Sequence, residues 1–378
     1  MRNDLPQLPV LLLVTFLLAA GCASSERATT EPQQPSKDSA PDVWGYHAYW
    51  TGDLWESYDF SRLDGLFFFE LEATGDATFD AQHGWPSRWQ ALRERAQAAG
   101  VAVVPVVTLF DREDFIQLFG RAKLRRLFRR NVVAMMTTAG ADGVQLDVEV
   151  SRAVPDSARD GFTTFVRELR PALRRENPDA TLSIFAPAFD RADVFDEAAL
   201  GEHVDFFVVQ GYDVHYSGSE TTGPVAPIVG WNGQNWQAIA ERYRELGVPT
   251  SKIVMSVPFY GYEWPAESEE PGARTLGRGR TISYADVDEE YLSTVRASAR
   301  ERADRHGLRR DDASESPYYA YRDSSETWRQ GWFEDARSLR AKWDFIRGRE
   351  LRGLAAFPLG YDGGDLLQAL PVAPGARP

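Results

Sequence analysis

Eight short apolar runs recur along the chain, and their alternation with amphipathic helical stretches constrains the fold more than any other feature. Each run is rich in β-branched and aromatic residues, and helical stretches such as 87–99, 122–139 and 161–176 lie between them. Strands that alternate with helices indicate a parallel sheet with crossover helices. Eight such units predict an α/β fold, the (β/α)8 TIM barrel, whose functional residues gather at the carboxyl ends of the strands. The predicted strands are residues 43–49, 65–71, 101–109, 143–150, 181–188, 204–212, 252–260 and 351–359.

The segment between the seventh and eighth predicted strands is too long for a single crossover helix. From about residue 265 to 328 it is rich in Glu, Arg, Asp and Ser. A strand-like run at 316–321 and a helical pattern at 284–305 predict a small α+β insertion. A disordered polar loop is the alternative that the sequence leaves open.

The first 42 residues differ in composition from the rest of the chain. Residues 9–20 form an apolar run that is too short for a typical membrane-spanning helix and is followed by small residues, which is typical of an export signal. Cys22 follows directly and is the sole cysteine of the chain, so no internal disulfide is expected. The segment 18–22 resembles the lipobox of bacterial lipoproteins, although Ala19 stands where leucine is usual.

The lipobox resemblance implies a lipid on Cys22 and an exported protein anchored to the cell membrane or outer membrane, on its periplasmic or extracellular face. A plain signal peptide is the alternative. Residues 23–42 are polar and show no apolar periodicity, which predicts a disordered tether. The expected organisation is therefore a signal peptide at 1–21, a tether at 22–42 and a barrel at 43–370. The net charge of −14 argues against nucleic acid as a partner, and a monomer is expected.

The fourth predicted strand carries polar groups that are unusual for a buried strand. Successive side chains of a strand point to opposite faces, so Gln145, Asp147 and Glu149 share one face. Two carboxylates this close disfavour double ionisation, which raises the pKa of one and leaves a carboxylic acid that can donate a proton near neutral pH. The solvated face of an edge strand is the structural alternative. The opposite face is aliphatic and consists of Val144, Leu146, Val148 and Val150.

At this strand the sequence resembles the signature D-G-x-D-x-D-x-E of glycoside hydrolase family 18, the chitinase-like family. Asp142, Gly143, Asp147 and Glu149 fit this signature, and Gln145 replaces its middle aspartate. The resemblance implies that Glu149 is the general acid and base and that Asp147 orients the acetamide group of the substrate. Gln145 can donate a hydrogen bond to Asp147 but cannot take up charge. The branch of the family related to spore-cortex and cell-wall hydrolases has asparagine at this position, and the amide of Gln145 resembles it.

The sixth predicted strand ends in a segment that resembles the M-x-Y-D motif of the same family, with Gln210 in place of methionine. The resemblance implies that Tyr212 and Asp213 contact the N-acetyl group and the sugar in the central subsite. A hydrogen-bonded Tyr–Asp pair that closes the strand is the structural alternative. His215 is interpreted as a structural histidine.

Aromatic residues at other strand ends complete the candidate site. The segment 257–264 resembles P-F-Y-G-x-x-W, and the segment 353–362 resembles G-x-x-x-W-x-L-G-x-D with Phe357 at the tryptophan position. In the family that indole forms the floor under the central sugar, so the smaller ring predicts weaker binding of chitin. The substrate-binding candidates are Asp142, Gln145, Tyr46, Phe69, Tyr260, Trp264 and Phe357.

The resemblance implies a glycoside hydrolase that cleaves β-1,4 bonds in N-acetylhexosamine glycans, either peptidoglycan or chitin-like, by a retaining and substrate-assisted mechanism. The expected partner is an N-acetylated polysaccharide or oligosaccharide, and no cofactor is expected. A catalytically weak or inactive carbohydrate-binding protein of the same fold is the alternative. No metal is expected, because no histidine cluster accompanies the acids. The metal site that the sequence disfavours would consist of Asp142, Asp147, Glu149 and Asp213.

Overall fold

The computed structural model describes residues 40–289, 294–296 and 298–371. The predicted signal peptide at 1–21, Cys22 and the predicted tether up to residue 39 lie outside the described residues. The first strand begins at Asp42, which is the last residue of the predicted tether.

Strands and helices alternate through the described part of the chain. The strands are β1 (Asp42–Ala48), β2 (Gly65–Ala73), β3 (Phe79–Ala81), β4 (Ala102–Leu109), β5 (Gly143–Val148), β6 (Thr181–Ala186), β7 (Phe206–Val209), β8 (Ile253–Pro258), β9 (Tyr260–Ala266), β10 (Arg280–Ser283), β11 (Val287–Glu289), β12 (Thr294–Arg296), β13 (Arg309–Asp311), β14 (Ser316–Arg322), β15 (Trp328–Trp332) and β16 (Gly353–Phe357). The α-helices are α1 (Gln90–Ala98), α2 (Arg112–Gly120), α3 (Ala122–Ala139), α4 (Asp156–Glu176), α5 (Glu197–Gly201), α6 (Trp236–Glu245), α7 (Ala299–His306) and α8 (Ala336–Gly348). Short 3₁₀ helices lie at Tyr49–Ser57, Phe60–Arg62, Trp231–Gly233, Thr250–Lys252 and Leu366–Ala369.

Eight parallel strands close into a barrel, which confirms the predicted (β/α)8 fold. Their order around the ring is β1, β2, β4, β5, β6, β7, β8 and β16, and the pairing of β16 with β1 closes it. Each of the eight predicted runs overlaps one of these strands. Since all eight strands are parallel, the residues that follow them lie at one mouth of the barrel, where TIM barrels carry their chemistry.

The apolar residues form one core inside the barrel and a larger one between the strands and the helices. The interior core includes Trp44 and Phe67, whose rings stack with centroids 4.7 Å apart. The larger core includes Val144, Leu146 and Val148 of β5. The aliphatic face of β5 therefore packs outward against the helices, as its alternation predicts, and leaves the polar face for the barrel interior.

Two of the helices show why the outer layer packs closely. The helix α3 has the predicted bounds and ends at Gly140, which has the left-handed φ of 59° that glycine adopts without strain. The helix α4 begins at Asp156 rather than at 161, and at Gly161 a Cβ atom would lie 1.9 Å from the backbone oxygen of Phe119. Only glycine permits this approach. Among the described residues, no helix is long and apolar enough to cross a membrane.

The segment between β8 and β16 contains a five-stranded antiparallel sheet in the order β10, β9, β15, β14 and β13. The strand predicted at 316–321 is confirmed as β14. The helix predicted at 284–305 is wrong for most of its described residues, since these include β11 and β12 and the helix α7 covers only Ala299–His306. Pairing with a neighbouring strand and the cap on α7 from Ser298 override the local helical pattern here.

Candidate active site

The strand β5 holds the polar face that the sequence predicts. Gln145 and Asp147 point into the barrel and are 0% and 3% exposed, respectively. Glu149 follows the end of the strand and is exposed to solvent, while its backbone N–H donates to the oxygen of Leu109 at 3.3 Å. One carboxylate is therefore buried in the barrel, and the next one on the same face is open to the cleft.

Gln145 is fixed by hydrogen bonds on both sides of its amide. The hydroxyl of Tyr46 donates to Oε1 of Gln145 at 2.8 Å, and Nε2 of Gln145 donates to the hydroxyl oxygen of Ser183 at 3.2 Å. The register of β5 against β6 places Gln145 beside Ser183 and explains the second bond. The sequence suggests a hydrogen bond from Gln145 to Asp147, but the amide nitrogen donates to Ser183 instead.

Asp147 lies where ionisation is costly. Burial raises its pKa well above the ordinary value, and the negative charges of Glu149 and Glu70 raise it further. Its Oδ1 atom is buried and has no hydrogen-bond partner within the described residues. A group in this setting holds a proton at pH values where a surface aspartate is ionised, and an approaching positive charge would favour its ionisation.

Glu149 is accessible but partly desolvated. The surrounding protein raises its pKa, and repulsion from Asp213 raises it further. The carboxyl groups of Asp147 and Glu149 also repel each other, so the ionisation of one disfavours the ionisation of the other. Glu149 is suited to deliver a proton into the cleft, because its acid form persists to higher pH than that of an ordinary surface glutamate.

Gly211 follows the end of β7 and packs closely against β8. The Ser256 hydroxyl accepts a hydrogen bond from the backbone N–H of Gly211 at 3.1 Å, and the Trp236 indole donates to its backbone oxygen at 2.7 Å. A Cβ atom at this position would lie 2.3 Å from the backbone oxygen of Ser256. This close approach requires glycine and fixes the direction in which the next two residues leave the strand.

Tyr212 and Asp213 follow Gly211 and lie at the same mouth. Asp213 has a left-handed φ of 59°, and its Oδ1 accepts hydrogen bonds from the hydroxyls of Tyr260 at 2.9 Å and Tyr262 at 3.2 Å. Burial raises the pKa of Asp213 to about 6, although both tyrosine bonds act in the opposite direction. The charges of Asp213 and Glu149 also raise the pKa of Tyr212, after the larger effect of burial. The structure thus brings the acids of β5 together with the residues that close β7.

Phe357 is the centre of an aromatic cluster at this mouth. Its ring centroid lies 5.5 Å from those of both Tyr46 and Phe69, and 6.3 Å from that of Tyr212, with which it is stacked. Trp50 lies edge-on to the same ring at 6.3 Å. Tyr46, Phe69 and Phe357, which the sequence predicts as substrate-binding residues, thus lie together at this mouth, and their role in binding stays a prediction. Trp50 was missed, because it follows the first predicted strand in a segment that matches no motif.

Two predicted substrate-binding residues lie away from the cleft. Asp142 precedes β5 at the opposite end of the barrel, where its Oδ2 accepts hydrogen bonds from the Val103 backbone at 2.8 Å and from the Gln97 amide at 2.9 Å. Trp264 is completely buried, and its indole donates to the backbone oxygen of Tyr216 at 3.2 Å. Both predictions are corrected, since each side chain is used in structural contacts.

Because Asp142 lies at the other end of the barrel, it cannot share a metal ion with Asp147, Glu149 and Asp213. Its carboxylate lies at the amino end of β5, whereas Glu149 lies beyond the carboxyl end. Within the described residues, a different group of ligand atoms approaches within 4.8 Å of one another, and it consists of Glu70, Glu72 and His83. His215 is interpreted as a structural residue, because its Nδ1 lies 2.8 Å from the backbone oxygen of Pro224.

A protein-family model described as "Glycosyl hydrolases family 18" matches residues 68–362. The chain is 29% identical over 269 residues to the Bacillus subtilis protein named "Putative sporulation-specific glycosylase YdhD", covering 68% of this chain and 58% of that relative. It is 25% identical over 284 residues to the cortical fragment-lytic enzyme of the same species, covering 71% and 59%. The chain therefore spans a little under three fifths of the length of both relatives.

A solved structure shows the same fold. The chitinase of Cycas revoluta in complex with (GlcNAc)3 superposes with a TM-score of 0.74 at 18% identity, covering 86% of this chain and 97% of that one. This similarity concerns the fold. In that chitinase, an N-acetylated oligosaccharide is the bound molecule.

Proposed function

The chain belongs to glycosyl hydrolase family 18, and on this premise we propose that it hydrolyses β-1,4 bonds in glycans that contain N-acetylhexosamine. The observation that carries the proposal is the pair of carboxyl groups at the carboxyl end of β5, with Asp147 buried and Glu149 open to the cleft. Tyr212 and Asp213 face the same mouth from the end of β7. The pKa of each of these three acids is raised, as expected for groups that exchange protons during a reaction.

In the proposed first step, the acid form of Glu149 gives its proton to the glycosidic oxygen. The acetamido oxygen of the sugar attacks the anomeric carbon, the bond to the leaving sugar breaks, and a cyclic oxazolinium ion forms. In the second step, the Glu149 carboxylate takes a proton from water, whose oxygen attacks the anomeric carbon and reopens the ring. The acid is thereby restored, and no nucleophile from the protein is consumed.

Asp147 has a separate role in this proposal. Its unpartnered Oδ1 offers an acceptor to the acetamide N–H, and its negative charge would stabilise the positive charge that develops on the oxazolinium ion. Tyr212 would hold the acetamide oxygen in the attacking position. The Tyr46–Gln145–Ser183 hydrogen bonds keep the inner wall rigid while this charge develops.

The substrate class follows from the acetamide requirement. Peptidoglycan and chitin-type oligosaccharides both carry the group at C2. The name of the cortical fragment-lytic relative supports a bacterial cell-wall glycan, and the complex of the Cycas revoluta chitinase supports short N-acetylglucosamine chains. Phe357 offers a smaller floor than an indole, so we propose that short or muropeptide-type glycans are preferred over crystalline chitin.

Mass spectrometry of the products released from purified peptidoglycan and from chito-oligosaccharides tests this function. The wild-type protein should release fragments cut at N-acetylhexosamine linkages, and Glu149→Gln should release none while it still binds the glycan. Equal product formation by both proteins would contradict the assignment of Glu149.

A carbohydrate-binding protein with little or no catalysis is the second candidate, and the small Phe357 ring in the floor is the observation that favours it. Binding by the wild type without any released product would establish this alternative. In that case Phe357→Trp should tighten binding of the oligosaccharide, because a larger ring buries more of the sugar face.

We also propose that the protein is exported and anchored by a lipid on Cys22. Cells grown with an alkyne-labelled fatty acid should yield labelled wild-type protein in the membrane fraction. Cys22→Ala should lose both the label and the membrane association. An unlabelled wild-type protein in the soluble fraction would favour a plain signal peptide.

A further inference from the structure

A second polar cluster lies at the barrel mouth, on the β2 side of the proposed active site. It consists of Glu70 and Glu72 on β2 and His83, which follows β3. Glu70 interacts electrostatically with both Asp147 and Glu149, which places the cluster beside the reaction carboxylates. The mechanism proposed above assigns no role to any of its three members.

An irregularity in β2 presents the two glutamates on one face. The register of β2 against β4 shifts between Phe68 and Leu71, so three steps on β2 oppose two on β4. Such a bulge reverses the alternation of the strand beyond it. Phe68 and Leu71 both pack in the outer core, whereas Glu70 and Glu72 belong to the polar cluster. Without the shift, residue 71 would face the opposite side of the sheet from Phe68.

His83 is held in position by contacts that do not involve Glu70. Its Nε2 lies 2.8 Å from Oε1 of Glu72, and its ring stacks on Tyr49 with centroids 3.5 Å apart and planes 6° from parallel. Its backbone oxygen accepts a hydrogen bond from the Trp89 indole at 2.8 Å. An imidazole whose plane and backbone are both fixed is prepared to act as a ligand without further ordering.

Glu70 distinguishes this cluster from an ordinary His–Glu pair. The side chain is only 8% exposed, and its Oε2 atom is buried without a hydrogen-bond partner in the described part of the chain. Burying an unpaired carboxylate oxygen is costly, and a cation is the group that satisfies carboxylates and an imidazole at once. One ligand atom from each of the three residues lies within 4.8 Å of the other two.

We propose that Glu70, Glu72 and His83 bind a divalent transition-metal ion of the zinc type. One imidazole nitrogen and two carboxylate oxygens match the ligands that zinc takes, with a fourth position left to water or to a ligand. Magnesium and calcium prefer sites made entirely of oxygen atoms. The ion would sit beside the substrate cleft, and the proposed hydrolysis proceeds through no step that uses it. Metal binding and glycosidase activity can therefore be tested independently of each other.

Zinc binding to the full-length protein tests the site directly. After chelator treatment and dialysis, calorimetric titration with zinc chloride should show one ion bound per chain, and magnesium chloride should give no comparable heat. Glu72→Gln and His83→Asn should each weaken zinc binding by about 10-fold or more, as expected for loss of one ligand. Asparagine is suitable at position 83 because it tolerates the left-handed φ of 47° found there.

The matched control removes a His–Glu pair elsewhere. The double variant Glu202→Gln/His203→Asn loses two adjacent surface groups and should bind zinc as the wild type does. X-ray absorption of the zinc-loaded wild type provides a readout that needs no variant, and it should show only nitrogen and oxygen neighbours at about 2.0–2.2 Å, including a single imidazole. The proposal is overturned if stoichiometric zinc binding is absent, or if it persists unchanged in folded Glu72→Gln and His83→Asn proteins.

Discussion

The replacement of Asp213 by asparagine should make the protein more stable and less active at the same time. Burial raises the pKa of this carboxyl group from 3.8 to about 6. A difference of this size corresponds to roughly 3 kcal/mol by which folding disfavours the ionised form. Asparagine carries no charge, still accepts hydrogen bonds from the hydroxyls of Tyr260 and Tyr262, and tolerates the left-handed backbone at this position.

The sign of the pH dependence follows from linkage. A carboxyl group whose pKa is raised on folding destabilises the native state above that raised pKa and ceases to do so below the pKa of the unfolded chain. At pH 8 Asp213→Asn should therefore raise the free energy of unfolding by up to roughly 3 kcal/mol. The difference between variant and wild type should shrink as the pH falls through 6 and vanish below the ordinary aspartate pKa of about 4.

Urea unfolding of both proteins at several pH values between 4 and 8 measures this difference. The exposed Asp80 on β3 provides a matched control, since Asp80→Asn removes a charge that is already in water. Under the proposed function, Asp213→Asn also loses most of its turnover of N-acetylated glycans. An Asp213→Asn protein that is less stable than the wild type at pH 8, or equally more stable at pH 4 and pH 8, would refute the reasoning.

Three further changes test other parts of the site. Asp147→Asn should lower kcat on an N-acetylated glycan by about 100-fold, because an amide cannot supply the negative charge that stabilises the oxazolinium ion; steady-state kinetics at the pH optimum measures this. Tyr46→Phe leaves the buried Oε1 of Gln145 without its donor and should cost about 1–3 kcal/mol in urea unfolding. Gly211→Ala places a Cβ atom 2.3 Å from a backbone oxygen of β8 and should cost about 1–3 kcal/mol with a parallel loss of kcat. In wild-type protein, the hydrolysis rate should fall as the pH rises through the raised pKa of Glu149, because the ionised form has no proton to donate.

The barrel was predictable because its signal is repeated eight times. Each barrel strand is a short apolar run between polar connections, and burial on both sides makes such runs readable without any partner. The polar face of β5 was equally readable. Asp147 and Glu149 interrupt an aliphatic strand in phase, and alternation alone assigns both to the face opposite Val144.

The errors have different physical causes. The segment 284–305 was predicted as one helix, but its described part contains β11 and β12 before α7, because the pairing of these strands outweighs the local helical pattern. Trp264 is buried because β9 continues into the antiparallel sheet, where it pairs with β15. Asp142 matches the first position of the motif, but the motif extends along the whole of β5. The first acid of the motif therefore lies at the amino end of the strand, at the opposite end of the barrel from the site.

The cluster of Glu70, Glu72 and His83 was missed for a different physical reason. Simple alternation places residues 66, 68, 70 and 72 on one face of β2, and Leu66 and Phe68 pack in the outer core. The register shift before Leu71 reverses this alternation, and no residue type in β2 indicates where the shift occurs. A bulge of this kind is visible only once β2 is paired with β4.

The anomeric configuration of the first product tests the central claim most directly. Proton NMR spectra recorded immediately after mixing the protein with a β-linked N-acetylglucosamine oligosaccharide follow that configuration before it equilibrates. The account predicts that the β-anomer appears first, because the acetamido oxygen and then water invert the carbon in turn. It also predicts no turnover of the matched oligosaccharide without N-acetyl groups. Initial release of the α-anomer, or equal cleavage of the deacetylated oligosaccharide, would contradict substrate assistance at Asp147 and Glu149.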